Sequence, residues 1–406
     1  MNTIAIIGGG ASGMMAAIFA ARKGAKVLLL EQNDRLGKKI LVTGNGRCNY
    51  TNTYQDTSCY RSEQPDFITQ VLDQFPAEKV IAFFRELGIY PKDRNGYLYP
   101  YSDQASAVRD VLEQEVYRLG VDVRTGISCT GIQKTNERFS LQTSHGSLTV
   151  DQVILCNGSK AAPSTGSDGS GYRLAMKLGH DVTELKPSLI PFESKDPVCE
   201  EMMGLSLKNV AVKIYDESGK VLYTDFGEMM FTHFGVTGPV ILSASAHVKD
   251  RDISKLTLSI DLKPALDEKT LDARLLSDFK KNANKDFANS LSALLPSKMI
   301  EPFLKRTGVD AHKKINSITK EERFKILSVL KDFKIPLHAL RPIEEAIITS
   351  GGIDVKQINP KTMESKLIPG IYFAGEIIDV DAYTGGFNLQ IAYSTGFIAG
   401  KSAAEY

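Results

Sequence analysis

What the chain lacks narrows its class. Its 406 residues include five cysteines, Cys48, Cys59, Cys129, Cys156 and Cys199, scattered with no Cys-x-x-Cys pair. That pattern excludes a disulfide framework, offers no metal-ligand spacing, and suits a reducing cytoplasm. No stretch approaches the roughly 20 continuous apolar residues of a membrane span. The apolar N-terminus has no basic segment before it, and glycines interrupt it early, so it does not read as a secretory signal. A net charge of +1 argues neither for nor against a nucleic-acid or membrane partner. Internal repeats and low-complexity tracts are absent too. The remainder is an ordinary globular composition, long enough for two or three domains.

Against that background the two ends of the chain stand out. Thr3 to Ile7 is an apolar run leading straight into Gly8-Gly-Gly-Ala-Ser-Gly13. Gly8, Gly10 and Gly13 fill a Gly-x-Gly-x-x-Gly frame. In that frame one glycine permits the tight turn, one lets backbone approach a pyrophosphate, and one allows close helix–strand packing. Ala11 and Ser12 open a helix, read as Ala11 to Lys23 and ended by Gly24, whose N-terminus favours phosphate. Ala25 to Glu31 reads as a buried parallel strand. Glu31, with Gln32 beside it, follows Gly13 at about the spacing of an acid that accepts bonds from a ribose.

Near the C-terminus, Ile371-Tyr-Phe-Ala374 reads as a second strand, ending in Gly375-Glu376. It resembles the strand–glycine–acid signature of FAD-binding reductases, with Glu376 one methylene longer than the usual Asp. Asp379 is a further candidate for ribityl or phosphate contact. Gly385 and Gly386 then start a helix, read as Asn388 to Ala399, its N-terminus turned toward the flavin, with Phe387, Asn388 and Leu389 assigned to the cofactor site. A dinucleotide gripped from both ends of a chain points to FAD rather than NAD alone. No second Gly-x-Gly-x-x-Gly frame follows position 13, so NADH or NADPH, if it is the electron donor, binds transiently.

Between the ends, residues 64–88 read as two helices split near Pro76, Asn95-Gly96 as a hairpin turn, and Ser102 to Leu119 as a helix. Short strands follow to Val150, then the apolar strand Asp151 to Cys156 and the turn Asn157-Gly158, assigned with Cys156 to the cofactor site. The expected fold is α/β. A discontinuous FAD-binding Rossmann domain, residues 1–188 and 345–406, is interrupted by an insert at 189–344. Within it, 189–265 and 334–344 read as antiparallel strands and 266–333 as helices.

Three segments, Leu36-Gly-Lys-Lys-Ile-Leu-Val-Thr-Gly-Asn-Gly-Arg-Cys-Asn49, Phe231-Thr-His-Phe-Gly-Val-Thr-Gly-Pro239 and the C-terminal glycine-rich stretch, carry a specific likeness. Together they resemble the BaiN/YhiN-like (aminoacetone-oxidase-like) flavoprotein family over essentially the whole chain. Asn45 departs from the glycine usual there, and Asn tolerates positive φ better than most residues. The resemblance implies a glutathione-reductase-type FAD domain and a β-barrel-like plus helical insert covering the flavin. It also implies one of several reactions: reduction of conjugated C=C bonds in steroid-like acids, amine oxidation, or dihydrouridine formation in ribosomal RNA.

The site expected from these segments includes Lys39, Thr43, Gly44, Gly46, Arg47, Cys48 and Asn49, with glycine backbone wrapping the flavin and Arg47 offsetting negative charge. Cys48 admits two readings, a redox or acid group beside Arg47, or a small buried hydrophobe. His233 reads either as the proton donor complementing hydride transfer from flavin N5 or as a packed or surface histidine. Tyr383 is a second acid candidate. Metal ligands are not expected, and the oligomeric state is open. Residues 261–340 carry 16 Lys/Arg against 11 Asp/Glu, a difference of +5. That excess reads either as an RNA-docking face or as solvated helices. The preferred expectation is an FAD-dependent reductase acting on an electron-poor C=C bond of a substrate held between flavin and insert. The alternatives are a flavin-dependent ribosomal RNA dihydrouridine synthase and a non-catalytic flavin-containing RNA-binding protein.

Overall fold

The computed structural model describes residues 2–405, and the chain divides into two compact units, Met1–Pro187 with Ile343–Tyr406, and Ser188–Pro342. The first is built on a parallel sheet. Its strands are Thr3–Ile7 (β1), Lys26–Glu31 (β2), Asp122–Thr125 (β3), Gln152–Leu155 (β4) and Ile371–Phe373 (β5), in the order β5-β4-β1-β2-β3. All four pairings are parallel. β1, β4 and β5 are almost wholly buried, which is why they read as unbroken apolar runs.

The helix Ala11–Arg22 (α1) follows β1, and Phe387–Glu405 (α2) ends the chain. They pack unusually close, because a β-carbon on Gly396 would lie 2.4 Å from the Ser12 carbonyl oxygen, and one on Gly400 2.2 Å from that of Ala16. Two glycines one helical turn apart thus let the first and last helices touch backbone to backbone. A small antiparallel sheet of Thr51–Asn52, Tyr97–Pro100 and Pro91–Arg94 lies in the same unit. Its hairpin turn holds Asn95 at φ 56° and Gly96 at φ 89°, the left-handed pair that an Asn-Gly turn supplies.

The second unit holds a seven-stranded antiparallel sheet ordered Phe333–Pro336, Thr257–Asp261, Ser206–Tyr215, Val221–Thr232, Gly235–Thr237, Phe192–Glu193 and Ala339–Leu340. Flat, seven strands would set its edges roughly 29 Å apart. Yet the edge strands are chain neighbours, Pro336 and Ala339, and three residues reach at most about 11 Å. The sheet therefore rolls into a barrel-like form. Helices Glu268–Lys281, Ser297–Thr307 and Lys320–Lys331 share its core through Leu271, Leu275, Met299, Phe303 and Leu330.

Two elements depart from the sequence reading, and the shorter is Val198–Glu201, a helical turn in a segment expected as strands. Pro239–Val248, expected within a run of strands, is an α-helix. Gly238 at φ 107° and Pro239 in the first turn launch it, and Pro suits that position because its missing N–H is not needed there. Ala and Ser replace the alternating polar residues of a half-exposed strand, so the segment is buried on nearly all sides.

Candidate active site

The site grows from the end of β1. Gly8 turns at φ 104°, and a β-carbon there would fall 2.3 Å from the Cys156 carbonyl oxygen at the end of β4. On Gly13 it would lie 1.8 Å from the Gly8 carbonyl oxygen. Those two glycines are required by packing. Gly10 differs, with nothing within 4 Å of where its β-carbon would stand, so open space lies at the N-cap of α1. Unbonded N–H groups of a helix's first turn, together with its dipole, favour an anion at such a place.

Glu31 is nearly buried. Its Oε2 accepts from the Gly9 amide at 2.7 Å, and Oε1 accepts from the amide and side chain of Asn33, both at 2.8 Å. The Gln32 side chain donates to the Gly166 carbonyl oxygen at 2.6 Å. The loop at 165–166 is thereby tied to the acid assigned to the ribose. Gly158, at φ 72°, turns the chain so that Ser159 N–H donates to Ser167 Oγ at 2.8 Å.

The C-terminal segment closes on this turn. A β-carbon on Gly375 would lie 2.3 Å from Ser12 Oγ, and the Gly375 amide donates to Thr395 Oγ1 of α2 at 2.9 Å. On Gly386, it would lie 2.7 Å from the Thr51 backbone. Thr51 Oγ1 in turn donates to Gln390 Oε1 at 2.6 Å. Glu376 accepts from Lys39 Nζ at 2.6 Å, from Ser159 Oγ at 2.8 Å and from the Thr349 amide at 3.2 Å. Residues from the N-terminal turn, the 39–52 loop and the C-terminal turn thus form one constellation.

Several side chains do other work than the sequence suggested. Cys48 is fully buried in left-handed backbone at φ 56°. Burial pushes its thiol up to about 12, which leaves it neutral and unsuited to acid or redox chemistry at ordinary pH. Cys156 is buried as well, its thiol also pushed to about 12. Glu376 and Lys39, expected to reach the cofactor, bond one another. Thr43 Oγ1 donates to the Ile40 carbonyl. Asn388 is spent on its own turn, accepting from the Ala382 amide and donating to the Ala382 and Tyr383 carbonyls. Phe387 is buried edge-on to Tyr60, at 5.7 Å, and Leu389 packs against the core.

His233 lies in the second unit, exposed in the turn between Val221–Thr232 and Gly235–Thr237, with Phe234 its ring neighbour. Tyr383 is half-buried, its ring 4.4 Å from the Arg61 guanidinium. Arg61 itself bonds Asp381. Asp379 is half-buried, and its amide donates to the Ile353 carbonyl. Arg47 and Gly46 are exposed. Sequence reasoning missed Ser159, Thr349, Thr395 and Gln390, single polar residues whose partners lie far along the chain. Among the described residues no His, Cys, Asp or Glu cluster suits a metal ion.

The residues fit FAD. Gly10 opens a cradle at a helix N-terminus. Asn49 Oδ1 and Asn157 Oδ1, both among the residues assigned to the cofactor, are buried without a hydrogen-bond partner, as donors from a bound ligand would require. Fold and site define a Rossmann-type, FAD-dependent oxidoreductase. Residues 2–402 match the family described as HI0933-like protein Rossmann domain, and the chain belongs to that family. It is 34% identical to the 3-dehydro-bile acid delta(4,6)-reductase of Clostridium scindens, covering 100% of both chains. Identity to the ribosomal RNA dihydrouridine synthase of Escherichia coli is 29%, covering 98% of each. Among solved structures, 3-ketosteroid delta1-dehydrogenase from Sterolibacterium denitrificans shares the fold, with 12% identity, full coverage of both chains and a TM-score of 0.52.

Proposed function

We propose that this protein reduces an electron-poor carbon–carbon double bond, with FAD resident and NADH or NADPH as transient donor. The observation that carries the reading is the 34% identity, end to end, with a relative named as a delta(4,6)-reductase. Bound FAD supplies hydride chemistry. The chain supplies the rest. Gly10 and the start of α1 would receive the pyrophosphate, Glu31 the ribose, and the Asn49 and Asn157 amides would find partners on the cofactor. The Lys39–Glu376 pair and the Asn388 clamp hold the two turns in place, so orientation is set before substrate arrives. Tyr383, its ring against a cation, is the chain's candidate to hand a proton to the other carbon of the double bond, the one that does not take the hydride; buried Cys48 is not.

The experiment is direct. Purified protein releases FAD on denaturation, bleaches anaerobically with one of the two nicotinamides, and regains its colour on addition of a 3-oxo-Δ4,6 steroid acid. Colour that returns with oxygen alone sinks the reductase reading. A second reading, dihydrouridine formation in ribosomal RNA, draws on the E. coli relative and on exposed Lys280 and Lys281. It ranks second because eight of the fourteen other cations in residues 261–340 are already paired: Arg274 with Asp278, Lys305 with Glu201, Arg306 with Asp196, Lys313 with Glu322, Lys314 with Asp286, Arg323 with Asp272, Lys331 with Asp261 and Lys334 with Asp332. Phosphates would have to displace those carboxylates. Ribosomal RNA from a deletion strain that keeps its full dihydrouridine content would exclude it.

A further inference from the structure

The small sheet of the first unit has two unlike faces. Thr51 pairs with Leu98, and both are buried, so that face belongs to the core. On the other face the register sets Lys92 opposite Tyr99 and Arg94 opposite Tyr97, with Asn52 on the far side of Tyr97. Directly opposed residues project to the same side. The Arg94 guanidinium lies 5.0 Å from the Tyr99 ring centroid, and Tyr97 is 42% exposed.

This face abuts both loops assigned to the flavin. A β-carbon on Gly385 would lie 2.9 Å from Tyr97 Cε1, and one on Gly44 3.4 Å from Tyr99 Cε1. Asn52 Nδ2 donates to the Gly385 carbonyl oxygen at 3.0 Å. Arg47, three residues past Gly44, makes no ion pair among the described residues and is exposed. Asp103 bonds both Lys92 and Arg94. Three cations, Arg47, Lys92 and Arg94, against one carboxylate leave an excess of two positive charges. Guanidinium groups beside an exposed ring match a flat molecule with an anionic end. The carboxylate of Asp103 between two of the cations suits a singly charged ligand better than the clustered phosphates of a dinucleotide.

We propose that this face is the substrate subsite: Arg47 and Arg94 take the carboxylate of a planar, conjugated acid, and Tyr97 covers its ring system. The assignment rests on the flavin reading above and deepens it by naming the substrate class.

Two probes test it on the holoenzyme: a 3-oxo-Δ4 steroid with a side-chain carboxylate, and the same steroid as its methyl ester. Each is titrated while the flavin absorbance is followed. Arg94→Met and Arg94→Gln each weaken binding of the acid about tenfold and leave the ester unchanged, whereas Tyr97→Ala weakens both. Asp103→Asn, which removes the competing carboxylate, tightens the acid. Equal loss of acid and ester in the arginine variants overturns the proposal. So does a wild-type protein that responds to neither probe, or a change in nicotinamide saturation in place of acid binding. A wild-type protein that carries no flavin defeats the cofactor reading itself; flavin present with charge-blind binding defeats only the subsite.

Discussion

Lys39 Nζ and Glu376 Oε2 stand 2.6 Å apart although 337 positions separate them in the chain. Both side chains are largely withdrawn from water, at 25% and 19% exposure, so neither charge is easily rehydrated when its partner goes. Lys39→Met should therefore destabilise the first unit by about 2 kcal/mol, because a half-buried carboxylate loses its counter-charge. Glu376→Gln keeps acceptors for Ser159 and Thr349 and should cost less. In the double variant the two losses should fall short of their sum. Urea melts of the four proteins measure this, and strict additivity would show that the pair is not coupled.

The five cysteines make a second case. All are free and buried, and burial lifts the thiols of Cys48 and Cys156 to about 12 and those of Cys129 and Cys199 to about 11. The native protein should leave all five unreacted with a disulfide reagent at pH 8, and denatured protein should release five equivalents. Cys48→Ala should retain flavin reduction within about threefold. A native protein that titrates one thiol rapidly, with Cys48→Ala abolishing that reaction, would restore a chemical role to Cys48.

His180 gives the pH dependence. Its ring is nearly buried, edge-on to Phe373 with centroids 4.7 Å apart, and Nε2 lies 2.7 Å from Ser365 Oγ. Desolvation by burial holds the imidazole below its ordinary value, against smaller opposing effects of the Ala175 backbone and the Asp181 charge. The sign follows from linkage. The unfolded chain takes up the proton first, so the stabilisation of the neutral ring is complete above about pH 6.5 and is lost as pH falls through the lower folded value. Melting temperature should thus fall between about pH 7 and 5 more steeply in the wild type than in His180→Gln. Parallel curves would remove His180 as the cause.

How much of this was legible beforehand depends on the range of each interaction. Local backbone demands were legible: Asn45 sits at φ 55° and Asn95 at φ 56°, left-handed positions that the sequence marks with asparagine beside glycine. The glycine frame and the strand–glycine–acid ending were legible as well, because each is written within a few consecutive residues. Pro239–Val248 was not, since burial on nearly all sides erases the periodicity that separates helix from strand. Nor was the fate of Asn388 or Glu376, whose partners are set by turn closure and by contacts hundreds of residues away. The face carrying Arg94 and Tyr97 escaped for a related reason. Its residues look like an ordinary hairpin until the register shows which of them share a side.

The glycine frame itself offers the sharpest separation of folding from binding. Gly13 has no room for a methyl group, at 1.8 Å from the Gly8 carbonyl oxygen, whereas Gly10 has nothing within 4 Å and a helix N-cap at ordinary φ, −78°. Gly13→Ala should therefore force β1 and α1 apart and yield poorly folded protein, through the overpacking that typically costs 1–3 kcal/mol or more. Gly10→Ala should lose only the N-cap preference of glycine over alanine, about 1 kcal/mol or less, and fold. If the space beside Gly10 receives the pyrophosphate, that folded variant should purify pale, with FAD affinity down at least about tenfold. Flavin-to-protein absorbance ratios alongside thermal melts separate the two effects. A Gly10→Ala protein that folds and keeps its full flavin content would mean that the cofactor's phosphates do not approach this turn.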